Sequence, residues 1–187
     1  GTMNAAAVRQ VPLAVFIWDD GYGISVPTKL QTVKGSISKA ISGFQKTDHS
    51  NGINIYKLKA WDYAGMCEIL ESAIAHIRET HTPALFHVQE VTQPQGHSTS
   101  GSHERYKTPE RLEWERKWDC KKQMREWILA NALANEQELE QIEIDSKKFV
   151  KEKRDIAWKN YLDPIKDQVK KVLELLAQAG ASTNQAM

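Results

Sequence analysis

Residues 13–18 read Leu-Ala-Val-Phe-Ile-Trp, an unbroken apolar run bounded by Pro12 on one side and Asp19-Asp20 on the other. A run this short, rich in β-branched and aromatic residues and followed by glycines, predicts a strand buried on both faces. Such strands belong to parallel sheets covered by helices, and ligands in open sheets of that kind bind just past the carboxyl ends of the strands. At that place the chain carries Asp19-Asp20-Gly21-Tyr22-Gly23-Ile24-Ser25. Two carboxylates beside a loose backbone fit a hard cation and, with it, a phosphate. Asp and Gly are also ordinary turn residues, so the segment taken alone is more simply read as a polar strand-to-loop turn.

The alternation continues through the first half. Residues 36–44 read as a short helix, 53–58 as a second strand, 61–78 as a helix and 84–91 as a third strand. In the longer helix Met66, Ile69, Leu70, Ala73, Ile74 and Ile77 recur at three- and four-residue steps, the mark of one apolar face. Strand, helix, strand at this spacing implies parallel pairing with helices on the faces, an α/β fold. The second half is helical and charged. Thr108-Pro109-Glu110 offers a cap and a proline at the first helical position. Asn135-Glu136-Gln137-Glu138 resembles a capping box and opens a long helix reaching Tyr161. Asp163-Pro164 then starts a last helix, which Gly180 stops. The expected organisation is an α/β region over 1–107, a helical extension over 108–180 and a disordered tail or linker over 181–187. Because residues 2–9 resemble the last turns of a helix, the chain is expected to be a segment of a longer protein.

Bulk properties exclude several function classes. A net charge of +1 over 187 residues gives no field that would gather nucleic acid or an acidic membrane. No apolar run approaches the ~20 residues that span a bilayer, and no basic leader marks a signal peptide. Cys67 and Cys120 stand far apart in no metal or redox spacing, which fits structural thiols in a cytoplasmic protein.

A polar loop over 92–107 leaves the third strand at the same sheet edge as Asp19 and Asp20. It holds almost nothing to bury, and loops on rigid scaffolds are where binding groups collect. His97 suits a proton donor or a hydrogen-bonding group. His97 with Ser98 is a weak candidate for a nucleophile pair, since no strained Gly-x-Ser-x-Gly turn accompanies it. His97 and His103 match no zinc spacing. A plain surface loop remains open as well.

Residues 17–25, Ile-Trp-Asp-Asp-Gly-Tyr-Gly-Ile-Ser, precede Gln95-Gly96-His97-Ser98-Thr99-Ser100 and then Tyr106-Lys107. In that combination the chain resembles the alpha subunit of the thiamine-diphosphate-dependent 2-oxo acid dehydrogenases. The branched-chain type is the nearer, because its loop also runs Gly-His-His-Ser-Thr-Ser before a Tyr-Arg. The resemblance implies a partial thiamine-diphosphate-binding fold, with a parallel sheet flanked by helices and a helical region after it. It also implies oxidative decarboxylation of a 2-oxo acid and transfer of the acyl group to lipoyl-lysine. The implied cofactors are thiamine diphosphate and magnesium. The implied partners are a beta subunit or fused beta domain and the lipoyl domain of an acyltransferase core, with an oligomer in the intact enzyme.

The family's cofactor motif begins with Gly-Asp-Gly and ends with Asn-Asn, where Asp19-Asp20 stands here. Asp20 is thereby the implied magnesium ligand and Tyr22 the implied carbonyl donor, with Ile24 in the same turn assigned to the cofactor. A second full negative charge at this place repels a diphosphate unless a cation compensates it. His97 matches a histidine that contacts cofactor and substrate and assists reductive acylation, a role suited to an imidazole. Ser98, also assigned to the cofactor, matches a serine that is phosphorylated in mitochondrial relatives. A second histidine sits at the equivalent of Gln95 in the pyruvate type and of Gly96 in the branched-chain type, and this chain carries neither. Tyr106-Lys107 matches a Tyr-Arg pair that orders the loop. The Gly-Asp-Gly half is expected upstream of Gly1 and the activating glutamate on the beta part, so the segment alone is expected to be inactive. The competing expectation is a non-catalytic helical module that docks a subunit, with Trp114, Trp118, Trp127 and Trp158 on its surface.

Overall fold

The computed structural model describes residues 1–97 and 103–184, with side chains described as far as residue 180. Three parallel strands form the sheet: β1 (Ala14–Asp19), β4 (Asn54–Lys59) and β5 (Ala84–Gln89), in the order β1-β5-β4. Between β1 and β4 lie a small antiparallel pair, β2 (Tyr22–Gly23) and β3 (Val26–Pro27), and two short helices, α2 (Thr28–Gln31) and α3 (Ile37–Ala40). Residues 36–44, expected as one helix, are split. Only α3 is α-helical, and Ser42–Phe44 closes as a 3-10 turn after Ile41 leaves helical geometry.

Each face of the sheet carries a helical layer, as the apolar runs require. One face packs Ala84, Phe86, Val88 and Leu58 against Ala73 and Ile77 of α4 (Tyr63–Thr80). Asp62 caps α4 by accepting the Gly65 N–H at 3.0 Å, and His81 ends it in a left-handed conformation. The opposite face buries Leu85 and Ile53 with Ala7 of α1 (Thr2–Arg9), and Ile37 of α3 packs on that cluster. Alternate residues of β5 therefore serve opposite layers.

The expectation that β1 is buried on both faces is corrected. Phe16 is 39% and Trp18 61% exposed. β1 lies at the edge of the sheet, so the layer that closes over central β5 stops short of its outer residues. Phe16 still stacks on Phe86 with ring centroids 4.7 Å apart, and Phe86 on Tyr56 at 5.1 Å.

Beyond the loop come α5 (Pro109–Lys117), α6 (Cys120–Ala130) and α7 (Glu136–Asn184). The chain divides into two compact units, 1–131 and 132–187, so α5 and α6 fall in the unit of the sheet. Asn135 and Glu138 exchange backbone-to-side-chain bonds of 2.9 and 3.0 Å, the reciprocal cap read from the sequence. The expected break at Pro164 and stop at Gly180 do not occur. One helix runs through both, although an interior proline removes one backbone donor from it. Among the described residues no helix is long and apolar enough to cross a membrane.

Candidate functional site

Parallel pairing sets Asp19 level with Gln89, so β1 and β5 deliver the acidic turn and the following loop to one sheet edge. Two carboxylates arrive there in different circumstances. Asp19 is fully engaged: Oδ1 accepts the Gly21 N–H at 2.8 Å, and Oδ2 lies 2.7 Å from His87 Nε2. His87 is completely buried in the middle of β5, and its Nδ1 lies 2.9 Å from Ser38 Oγ. Ser38 Oγ in turn lies 3.2 Å from Ser36 Oγ. An ionised carboxylate only accepts, so Nε2 carries the hydrogen shared with Asp19. A neutral ring then accepts the Ser38 hydroxyl at Nδ1. Every member of this buried chain has a partner, as a polar group inside a core requires.

Asp20 is less committed. Its Oδ1 accepts the Tyr22 N–H at 3.0 Å, and Oδ2 has no partner among the described residues. Gly21 opens the turn with a φ of 84°, a conformation that glycine adopts without a Cβ penalty. The Asp20 carbonyl accepts from Arg111 Nη2 at 2.9 Å, so α5 reaches across and fixes the turn. Arg111 Nε also donates to Glu115 at 2.9 Å, and Lys107 Nζ donates to the same carboxylate at 2.8 Å. The Tyr22 ring lies among these cations, 5.4 Å from Lys107 Nζ and 5.6 Å from the Arg111 guanidinium carbon. Two cations and one carboxylate leave a positive charge beside the turn, which offsets part of the acidity of Asp19-Asp20.

The loop closes on the turn through aromatics. Tyr22 and Tyr106 have ring centroids 5.7 Å apart. Gly96 has a φ of 67°, and a Cβ built there would stand 2.8 Å from His103 Cβ and 2.9 Å from the Tyr106 hydroxyl. A side chain at this position would have to displace His103 or Tyr106. His97 follows it and is exposed. Ile24 is exposed, with a φ of 61°. Ser98 lies outside the described residues. His103 and Glu115 line a hollow of about 420 Å³ on the α5 side of the loop.

His87, Ser38, Arg111 and Glu115 were not singled out by sequence reasoning. A lone histidine inside the apolar run of β5 was one available signal, and the i,i+4 spacing of Arg111 and Glu115 was another. Neither names its distant partner. Among the described residues no three His, Cys, Asp or Glu side chains are grouped to hold a metal.

Residues 1–165 match the model of the dehydrogenase E1 component family. The chain is similar to the pyruvate dehydrogenase E1 component subunit alpha of Rickettsia bellii (strain RML369-C), with 27% identity over 149 residues, which is 80% of this chain and 43% of that protein. The chain thus spans less than half the length of this relative. No solved structure matches it.

Proposed function

The chain belongs to the dehydrogenase E1 component family, and on that premise we propose that it forms the alpha part of a thiamine-diphosphate-dependent 2-oxo acid dehydrogenase. What supports this most is the convergence of the Asp20–Tyr22 turn and the Gly96–His97 loop on one sheet edge, joined by the Tyr22–Tyr106 contact. Asp20 and the Tyr22 carbonyl would hold magnesium, with Ile24, His97 and Ser98 against the cofactor. The donor chemistry fits. Magnesium takes one or two protein carboxylates and completes its octahedron with phosphate oxygens and water. Asp19 is spent on His87 and Gly21, which leaves Asp20 as the acid with an oxygen to give. Arg111 and Lys107 supply the compensating charge that an extra acid beside a diphosphate demands. When bound, the cofactor supplies the electron sink for decarboxylation.

His97 is the residue assigned to the reacting group, where an imidazole holds or delivers a proton as the acyl group passes to a lipoyl-lysine. The loop run Gly96-His97-Ser98 followed by Tyr106 resembles the branched-chain type, so branched 2-oxo acids are tested beside pyruvate. A beta subunit, or a fused beta domain, supplies the rest of the active site.

The competing module that docks a subunit draws support from α7, where Ile142, Phe149, Ile156, Trp158, Ile165 and Leu176 are all exposed. Activity assays separate the two. The chain alone, given thiamine diphosphate and magnesium, is expected to release no carbon dioxide from pyruvate or a branched 2-oxo acid. Joined to its beta partner it is expected to do so, with preference for the branched substrate. A joined enzyme that turns over without needing thiamine diphosphate would remove the assignment.

A further inference from the structure

A hollow of about 550 Å³ opens on the sheet face covered by α1 and α3. Its lining includes Lys34, Lys39, Lys57, Ser38, Ser42 and Gln45, and it shares no residue with the turn. Lys57 stands on β4 directly level with His87 of β5, and Ser38 and Lys39 belong to α3. Among the described residues none of the three ammonium groups has an ion-pair partner, and no carboxylate lines the hollow. In a chain of net charge +1 this is a local concentration of positive charge, not a share of a generally basic surface. Unpaired ammonium groups around one concavity repel each other, and a bound anion relieves that repulsion.

The donor set is specific as well as charged. Lysine ammonium groups and a side-chain amide, with no acid among them, are what phosphate oxygens accept from. Ser38 is only 3% exposed and is held by His87 and Ser36, so it forms a fixed wall of the hollow behind the lysines. The hollow is of a size that takes a small ligand. We propose that it binds a small phosphate-bearing anion, with Lys34, Lys39 and Lys57 supplying the charge and the Gln45 amide a further donor. His87 joins Ser38 to Asp19 and is therefore the natural reporter of occupancy.

The proposal is independent of the cofactor assignment, and the test keeps them apart. The chain is titrated calorimetrically with sodium phosphate and with glycerol phosphate, at constant ionic strength with sodium chloride as the reference. Saturable binding of the phosphate probes is expected, with chloride giving none. Lys39→Gln is expected to weaken it about tenfold, and Lys39→Gln with Lys57→Gln about a hundredfold. Lys34→Gln provides a separate tenfold loss should the double variant lose its circular dichroism spectrum. The ring nitrogen resonances of His87 are expected to move with the same saturation curve, and Asp20→Ala is expected to leave the affinity unchanged. Tighter glycerol phosphate binding assigns the hollow to an organic phosphate and equal binding to free phosphate, and both uphold the site. Phosphate indistinguishable from chloride, full affinity in the lysine variants, or loss in Asp20→Ala overturns it.

Discussion

At the scale of single residues, the adjacent acids Asp19 and Asp20 have separate tasks. Asp19 is structural, because a buried imidazole and a backbone N–H consume both its oxygens. Removing the imidazole with His87→Ala leaves Asp19 Oδ2 without a partner and Ser38 with Ser36 alone, and opens a cavity. The expected loss is about 3 kcal/mol, read from the urea midpoint at unchanged slope. Asp19→Asn keeps one acceptor but turns its NH2 toward either the Gly21 N–H or His87 Nε2, and is expected to cost about 1–3 kcal/mol in the same measurement. Sequence inspection singled out Asp20 and His97 because both sit in short polar segments after strands. It passed over His87, whose partner Asp19 is 68 positions away. Gly96 carries a second residue-scale expectation. Gly96→Ala meets both a left-handed φ and the His103–Tyr106 contact, and it is expected to cost at least about 1 kcal/mol from the backbone alone. The Tyr106 and Lys107 amides, which donate to the His103 carbonyl, are then expected to exchange faster.

At the scale of elements, α5 links the charged half of the chain to the acidic turn. Thr108 accepts the Arg111 N–H at 3.3 Å and so starts the helix whose Arg111 holds the Asp20 carbonyl. Thr108→Ala is expected to cost about 1 kcal/mol of stability. It is also expected to speed amide exchange in residues 20–22. Glu110, in the first turn, has its carboxyl held below the usual glutamate range by its own backbone N–H and then by the Thr108 hydroxyl. A lowered folded-state pKa stabilises the fold above the unfolded value, and that contribution disappears as pH falls through the folded one. An NMR titration is expected to place the Glu110 midpoint below that of an unstructured peptide, and Thr108→Ala to raise it. In α7, Pro164 removes a donor from an otherwise continuous helix. Pro164→Ala is therefore expected to raise the thermal midpoint of the helical signal, with an intrinsic gain of about 3 kcal/mol. The edge position of β1 is a lesson at this scale. An apolar hexapeptide specifies a strand, but whether both faces are covered depends on where the sheet places it.

At the scale of the molecule, two compact units meet in the segment around Asn131–Asn135. Limited proteolysis is expected to cut there first and to release a folded fragment containing the sheet, α5 and α6. Tryptophans read as candidates for a docking face divide along the same line. Trp118 packs on Trp61 with ring centroids 4.5 Å apart and Trp127 on Tyr63 at 5.9 Å, inside the first unit. Trp158 is exposed on α7, in company with Ile156 and Tyr161.

The amino-acid order alone determined the parallel α/β alternation, the caps at Thr108 and Asn135, and the placement of an acidic turn and a histidine loop after strands. All of these are written in local periodicity and in residues a few positions apart. Only the tertiary structure decided that Asp19 is hydrogen-bonded from within the sheet, that Arg111 reaches back to Asp20, and that three lysines gather beside Ser38. Those contacts join residues many positions apart, and their energies arise when burial removes water from both partners. No window of sequence contains both members of such a pair, so the chain must fold before they exist.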